Sequence, residues 1–215
     1  MADTNAVRTA VSGICEALAS DEEHFRALDA DLGDGDLGVT VRMGTEAVNS
    51  AISDHTFESV GEVLAVVGRE FSRANPSTLA GLIGAALKAV SRQVGDATEL
   101  RPADWIPLLE RAADTIAQRG GARAGDKTIL DGLLGSLAAM REAPAGTATA
   151  LDLAQRARAG AERASEAVKD LESRVGRASW QGARTVGFPD PGVEVWLVTT
   201  GAIERFVGAT DSAQP

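Results

Sequence analysis

Val7, Val11, Ile14 and Leu18 recur at steps of four, three and four, which places them on one face of a helix. The same spacing returns through most of the chain. Val41, Gly44, Val48 and Ile52 mark a second helix, and Val60, Val63, Leu64, Val67 and Phe71 a third. After the break at Asn75-Pro76-Ser77, a fourth carries Leu79, Leu82, Ile83, Ala86, Leu87, Val90 and Val94. Pro102 stands near the start of a fifth, marked by Trp105, Leu108, Leu109, Ala112 and Ile116. A proline costs little there, because the first N–H groups of a helix have no acceptor within it. Ile129, Leu130, Leu133, Leu134 and Leu137 form a sixth, and an alanine-rich stretch from about 148 to 174 a long seventh. The last apolar stretch, from Val193 to Val207, begins by alternating like a strand, but Val195, Thr199, Ala202 and Phe206 share a helix face. With no second strand in view to pair with it, a helix is expected. The pattern predicts one all-α domain over residues 1–215, of about seven or eight antiparallel helices, with a polar, frayed tail over about 210–215.

Composition narrows what such a domain can bind. The 215 residues are 44% apolar, enough for a full core, while aromatics are only 4% with no tyrosine, so packing rests on Leu, Val, Ile and Ala. The formal net charge is -10 and no block of Lys or Arg interrupts it, which argues against nucleic acid and against a polybasic membrane surface. An anionic ligand would have to be held by a metal or by helix N-termini. The lone cysteine, Cys15, lies between Ile14 and Leu18 on an apolar face; it excludes an internal disulfide and reads as a small core residue. The N-terminal residues have neither the basic nor the apolar region of a secretion signal, and no apolar run reaches membrane-spanning length. A soluble, cytoplasmic protein is expected.

Three interruptions of the helical pattern carry the chemistry. The first, "LDADLGDGDLG" from Leu28 to Gly38, holds Asp29, Asp34 and Asp36 among three glycines. These carboxylates would repel one another without a counter-ion, and a hard divalent cation such as Mg²⁺ relieves that repulsion. An EF-hand is excluded, since counting from Asp29 the twelfth position is Thr40 rather than a glutamate. An acidic helix cap followed by a turn is the plainer alternative. The second, "RGGARAGDKT" from Arg119 to Thr128, approaches a helix opened by Asp126 and Lys127 through two glycine-containing turns. Free N–H groups at such a helix start can bind an anion, although Asp126 stands where a P-loop has its lysine. Taken alone, the segment reads more simply as a helix–helix turn capped by Asp. The third, "GRASWQGARTVGFPDPG" from Gly176 to Gly192, is a long loop with Arg177, Arg184 and Asp190. Loops of this length in compact domains tend to be functional. Arg177 either pairs with a phosphate or caps the alanine-rich helix.

The order and combination of these stretches resemble the DhaL-type nucleotide-binding domain of the dihydroxyacetone kinases, whose motifs run "LDxxxGDGDHG", "GxxPGDKTMxD" and "GRASYLGERSxGxxDPGA". The counterparts here, with "GARAGDKTILD" as the second, span nearly the whole chain. The resemblance implies a closed antiparallel eight-helix barrel with a nucleotide, ADP or ATP, at one mouth. It implies two Mg²⁺ ions held by Asp29, Asp34 and Asp36. It places Thr40 and Val41 near the phosphates, and Gly120, Ile129, Arg177, Asp190, Pro191 and Gly192 around the nucleotide. Ser77 and Thr78, in "ANPSTLAGLIG", stand where the family has a glycine- and serine-rich phosphate loop, so that loop departs from the pattern. So does Leu37, where the family has His.

The function so implied is a phosphotransfer subunit that passes a phosphoryl group to a ketose such as dihydroxyacetone or erythrulose. The ketose would sit on a separate DhaK-type subunit, for which this chain has no room. Phosphoryl transfer asks mainly for charge neutralisation and positioning, so no Ser/His/Asp triad is needed, and only His24 and His55 are present. The nucleotide is either a resident ADP recharged by a phosphotransferase-system protein or an ATP exchanged each cycle. The alternative is a non-catalytic nucleotide-binding regulatory partner of the same fold. A homodimer stays open, because periodicity does not separate exposed apolar faces from core.

Overall fold

The computed structural model describes residues 1–32, 35–144 and 146–211, with backbone alone for Asp31 and Leu32. Among the described residues there are nine α-helices: α1 (Thr4–Ser20), α2 (Glu22–Leu32), α3 (Leu37–Ser53), α4 (Val60–Ala74), α5 (Thr78–Val94), α6 (Pro102–Gly120), α7 (Ile129–Arg141), α8 (Ala150–Lys169) and α9 (Pro191–Asp211). A 3₁₀ segment, Arg177–Thr185, precedes α9. Contacts run in a ring: α1 packs on α3, then α3 to α9 pack each on the next, and α9 returns to α1. Eight helices thus make the ring; the connections from α3 to α8 are short, whereas residues 170–190 form a long one between α8 and α9. The remaining one, α2, lies at the side, against α3, α9 and the 3₁₀ segment.

Several helix starts follow from the sequence by capping. Ser59, Ser77 and Thr149 each accept an N–H from the third residue on, and Asp3 does the same for α1. Pro102 is the first residue of α6, as its missing N–H allows. The helix expected from Val193 onward is α9, so the 3.6-residue period outweighs the short alternation at its start. It continues to Asp211, through the first residues of the expected tail.

Small residues let the helices approach closely in a core poor in aromatics. A Cβ on Gly160 of α8 would stand 2.2 Å from the carbonyl oxygen of Gly135 in α7. Beside this contact Ser136 donates to the Ala157 carbonyl and receives the Trp196 indole N–H, joining α7, α8 and α9. The largest buried cluster gathers Ile116, Ile129, Leu130, Leu133 and Leu137 from α6 and α7. Cys15 packs with Val48, Ile52, Val66 and Phe71, and burial pushes its thiol up to about 12, so it is the inert core residue expected.

Three features depart from expectation. Helix α2 begins in a stretch given no element and runs into the acidic, glycine-rich interruption, so Asp29 lies in its last turns. Two-residue strands β1 (Ala2–Asp3) and β2 (Glu99–Leu100) pair antiparallel and tie the start of α1 to the approach to α6. The alanine-rich helix ends at Lys169 rather than near 174. No helix among the described residues is long and apolar enough to cross a membrane.

Candidate functional site

Helices α3, α5, α7 and α9 all begin at one end of the ring, where α4 and α6 finish. A bond from the Asn75 amide at the end of α4 to the Thr40 hydroxyl in the first turn of α3, 2.8 Å long, fixes that juxtaposition. The four helix starts surround a cleft of about 210 Å³. Each contributes the positive end of its dipole and N–H groups without an intrahelical acceptor.

The caps are built from the residues flanking each start. In α5, Ser77 Oγ receives the Ala80 N–H at 3.1 Å. In α7, Thr128 is the cap, with Asp131 returning a carboxylate to the Thr128 N–H at 2.9 Å and to the Gly125 N–H at 2.6 Å. In α9, Asp190 receives the Val193 N–H at 2.8 Å. Asp190 is 8% exposed, and burial pushes its carboxyl up to about 7. The Val193 and Gly192 N–H groups and the Lys127 ammonium pull the other way, and Asp131 adds to the rise.

Acidic residues approach from α2 and the start of α3. Asp29 accepts the Leu37 N–H at 3.2 Å, so the end of α2 is tied to the first turn of α3. Asp36 meets Arg177 from the 3₁₀ segment at 3.2 Å. Burial, and then the like charge of Asp29, raises the Asp36 carboxyl above its ordinary value. Asp29 and Asp36 bring two oxygen-donor carboxylates to the mouth of the cleft, the ligand type that suits a hard divalent cation.

Most residues expected at the site meet here: Asp29, Asp36 and Thr40 on one wall, Ser77 and Thr78 on the next, and Gly120, Ile129, Arg177, Asp190, Pro191 and Gly192 around the remainder. Val41 does not. It is fully buried against Leu18, Phe25, Leu37 and Val195, because one step along a helix turns a side chain about 100° away from the cleft wall that Thr40 lines. Asp34 lies outside the described residues. Lys127, Thr128 and Asn75 were not anticipated. Lys127 precedes α7 rather than opening it and is 1% exposed, with its ammonium on the carbonyls of Thr185, Leu171 and Lys169. The sequence marks it only as the charged residue after Gly125-Asp126; nothing there signals burial.

The class this defines is an all-helical ring whose mouth joins four helix N-termini to an acidic cluster. The chain belongs to the DAK2 domain family, whose model matches residues 31–204. It is 31% identical over 188 residues to the D-erythrulose kinase of Mycolicibacterium smegmatis, covering 86% of this chain and 32% of that protein. The human triokinase/FMN cyclase is 31% identical over 183 residues, 83% of this chain and 31% of that protein. The chain therefore spans about a third of the length of these relatives. The ADP-binding subunit DhaL of the PEP-dependent dihydroxyacetone kinase of Escherichia coli is 24% identical over 181 residues, 82% of this chain and 84% of that one. Among solved structures, the native dihydroxyacetone kinase of C. freundii matches with a TM-score of 0.72 at 21% identity, over 93% of this chain and 34% of that one. Its complex with AMP-PNP and Mg²⁺ matches with the same TM-score at 20% identity. The DhaL-type resemblance and the all-helical fold read from the sequence are borne out.

Proposed function

We propose that the chain is the nucleotide-binding phosphotransfer domain of a dihydroxyacetone-kinase-like enzyme. The observation that carries this is the meeting of Asp29 and Asp36 with the starts of α3, α5, α7 and α9 in one cleft. Family membership adds to it, as do a relative that is an ADP-binding subunit and a fold neighbour solved with AMP-PNP and Mg²⁺.

In this reading Asp29, Asp34 and Asp36 hold two Mg²⁺ ions, which supply charge neutralisation for the phosphates of ADP or ATP. The N–H groups at the starts of α5 and α7 receive phosphate oxygens, with the Ser77 and Thr78 hydroxyls beside them. Gly120, Ile129 and Pro191 form the less polar side of the cleft. Arg177, beside Asp36, faces the phosphates, and Asp190 keeps the start of α9 and Gly192 in place. The phosphoryl group passes to a ketose held by a separate DhaK-type subunit. Barrier lowering then comes from positioning and from charge stabilisation by groups already in place.

The test mixes the chain with a DhaK-type subunit, Mg-ATP and dihydroxyacetone or erythrulose, and follows ketose phosphate. Transfer is expected with the native chain, and Asp34→Ala should lose both Mg-nucleotide binding and transfer. Unchanged nucleotide binding in that variant would sink the reading. Leu37 favours a second one: the family motif has His there, whereas this leucine joins a buried apolar cluster. A non-catalytic nucleotide-sensing partner would bind Mg-ADP but yield no ketose phosphate in the same mixture.

A further inference from the structure

Lys127 is the only non-glycine among the described residues with left-handed backbone, at φ +60°. A lysine inside a cleft for anions would ordinarily be read as a phosphate contact. Its ammonium has three donors, and three carbonyls take them: Thr185 at 2.6 Å, Leu171 at 3.0 Å and Lys169 at 3.3 Å. It cannot turn to a ligand without giving up one of these bonds.

The three acceptors have a common geometry. Lys169 and Leu171 come before the segment 172–184, and Thr185 comes directly after it, so the ammonium sits at the neck of a loop and joins its two ends. Other bonds close the same neck. The Gly187 N–H reaches the Lys169 carbonyl at 2.8 Å, and the Ser173 N–H reaches Thr185 Oγ1 at 2.9 Å. The Arg174 N–H also meets the Asp126 carbonyl at 3.1 Å, which docks the loop on the turn that carries Lys127. Within this loop lies Arg177, whose guanidinium crosses the mouth to Asp36.

We infer that Lys127 is a positioning residue: it locks the neck of the 172–184 loop and so holds Arg177 at the mouth of the cleft, without touching the ligand itself. The inference rests on the nucleotide reading above. The positive φ follows from the task, because the chain must turn sharply at Lys127 to send its side chain under the loop while Thr128 caps α7. A loop already closed at its neck presents Arg177 in place, so binding does not have to order it. A shorter or neutral side chain would take this donor from the Leu171 and Thr185 carbonyls, leaving the Lys169 carbonyl only the Gly187 N–H, and would free the loop to open.

The experiment is a double-mutant cycle on the full chain, reading Mg-ADP affinity by calorimetry for the native protein, Lys127→Met, Arg177→Ala and the double variant. Arg177→Ala should weaken binding about tenfold or more, as loss of a charge-assisted bond does. Lys127→Met should weaken it by a similar factor, and the double variant should be little weaker than either alone, the signature of two residues acting as one unit. Amide exchange over 174–187 should speed up in Lys127→Met while the α4 and α5 amides stay protected, which a general loss of fold would not give. Additive losses, or native affinity in Lys127→Met beside a weakened Arg177→Ala, overturn the inference. Native affinity in Arg177→Ala removes the nucleotide role of Arg177 instead, and the exchange pattern then decides whether Lys127 locks the neck. Should Lys127→Met fail to fold, Lys127→Gln replaces it: its shorter, neutral side chain has only two N–H donors for the three carbonyls, and native affinity there counts against the inference.

Discussion

Replacing Asp190 by Asn should make the protein more stable at pH 8 and remove much of its pH dependence. The carboxyl is pushed up to about 7 by burial, against 3.8 for an unperturbed group. A raised acid is stabilising relative to its ionised form at low pH. That contribution is complete below the unfolded value near 3.8 and is lost as pH climbs through about 7, where the folded protein must carry the ionised group. A rise of about three units corresponds to about 4 kcal/mol between the two limits. For a chain of this length, 1 kcal/mol moves the melting temperature by roughly 2–4 °C, so the full effect is about 10 °C. Asparagine retains an oxygen to accept the Val193 N–H, so the cap on α9 survives while the ionisation disappears. The assay is thermal unfolding of both proteins from pH 4 to pH 8.5. Subtracting the two curves cancels every other titrating group. The difference should grow in favour of Asp190→Asn from about pH 4 and level off above about pH 7. Parallel curves would refute the burial argument, and so would a variant that loses ground as pH rises.

Other perturbations separate packing from ligand binding. Gly160→Ala should lower stability by about 3 kcal/mol, seen as an earlier melting transition, because its Cβ meets the backbone of α7 rather than a side chain that can move. Ser136→Ala should cost about 1–3 kcal/mol in denaturant unfolding, since it strands the Trp196 indole N–H inside the α7–α8–α9 contact. Asp36→Asn should leave the ligand-free protein at least as stable as the native one, because the charge it removes is disfavoured by burial and by Asp29. The same variant should lose the Mg-dependent part of ADP binding, so its two effects on melting temperature have opposite signs.

What could be read in the sequence follows from where the physics is local. Helices α4, α5 and α7 each carry a strong apolar stripe and a Ser or Thr cap, and both signals survive in one dimension. Helix α2 was missed because it shows little to bury: among its described side chains only Phe25 is fully buried, and Glu22, Glu23, Arg26 and Asp29 add charge around it. The two-residue strands were missed because a pairing of Ala2 with Leu100 is a long-range contact with no periodicity to announce it. At the site, the acidic and glycine-rich stretches were visible as breaks in the helical period, and the motifs said which of them belonged together. The side chain of Val41 turns into the core one helical step past Thr40, a resolution that motif matching does not reach. Lys127 was passed over for a different reason. A lysine in a polar, glycine-flanked turn reads as exposed, and only the path of the chain around it, from Lys169 to Thr185, makes it a buried anchor.

The central claim is that this cleft binds a nucleotide through a divalent cation. The most direct measurement is calorimetric titration of ADP into the nucleotide-stripped chain, with Mg²⁺ and then with EDTA. One saturable site is expected with Mg²⁺ and at least tenfold weaker binding without it, with Asp29→Asn reducing the first curve to the second. Equal binding with and without Mg²⁺, or no heat with a protein shown free of bound nucleotide, would contradict it.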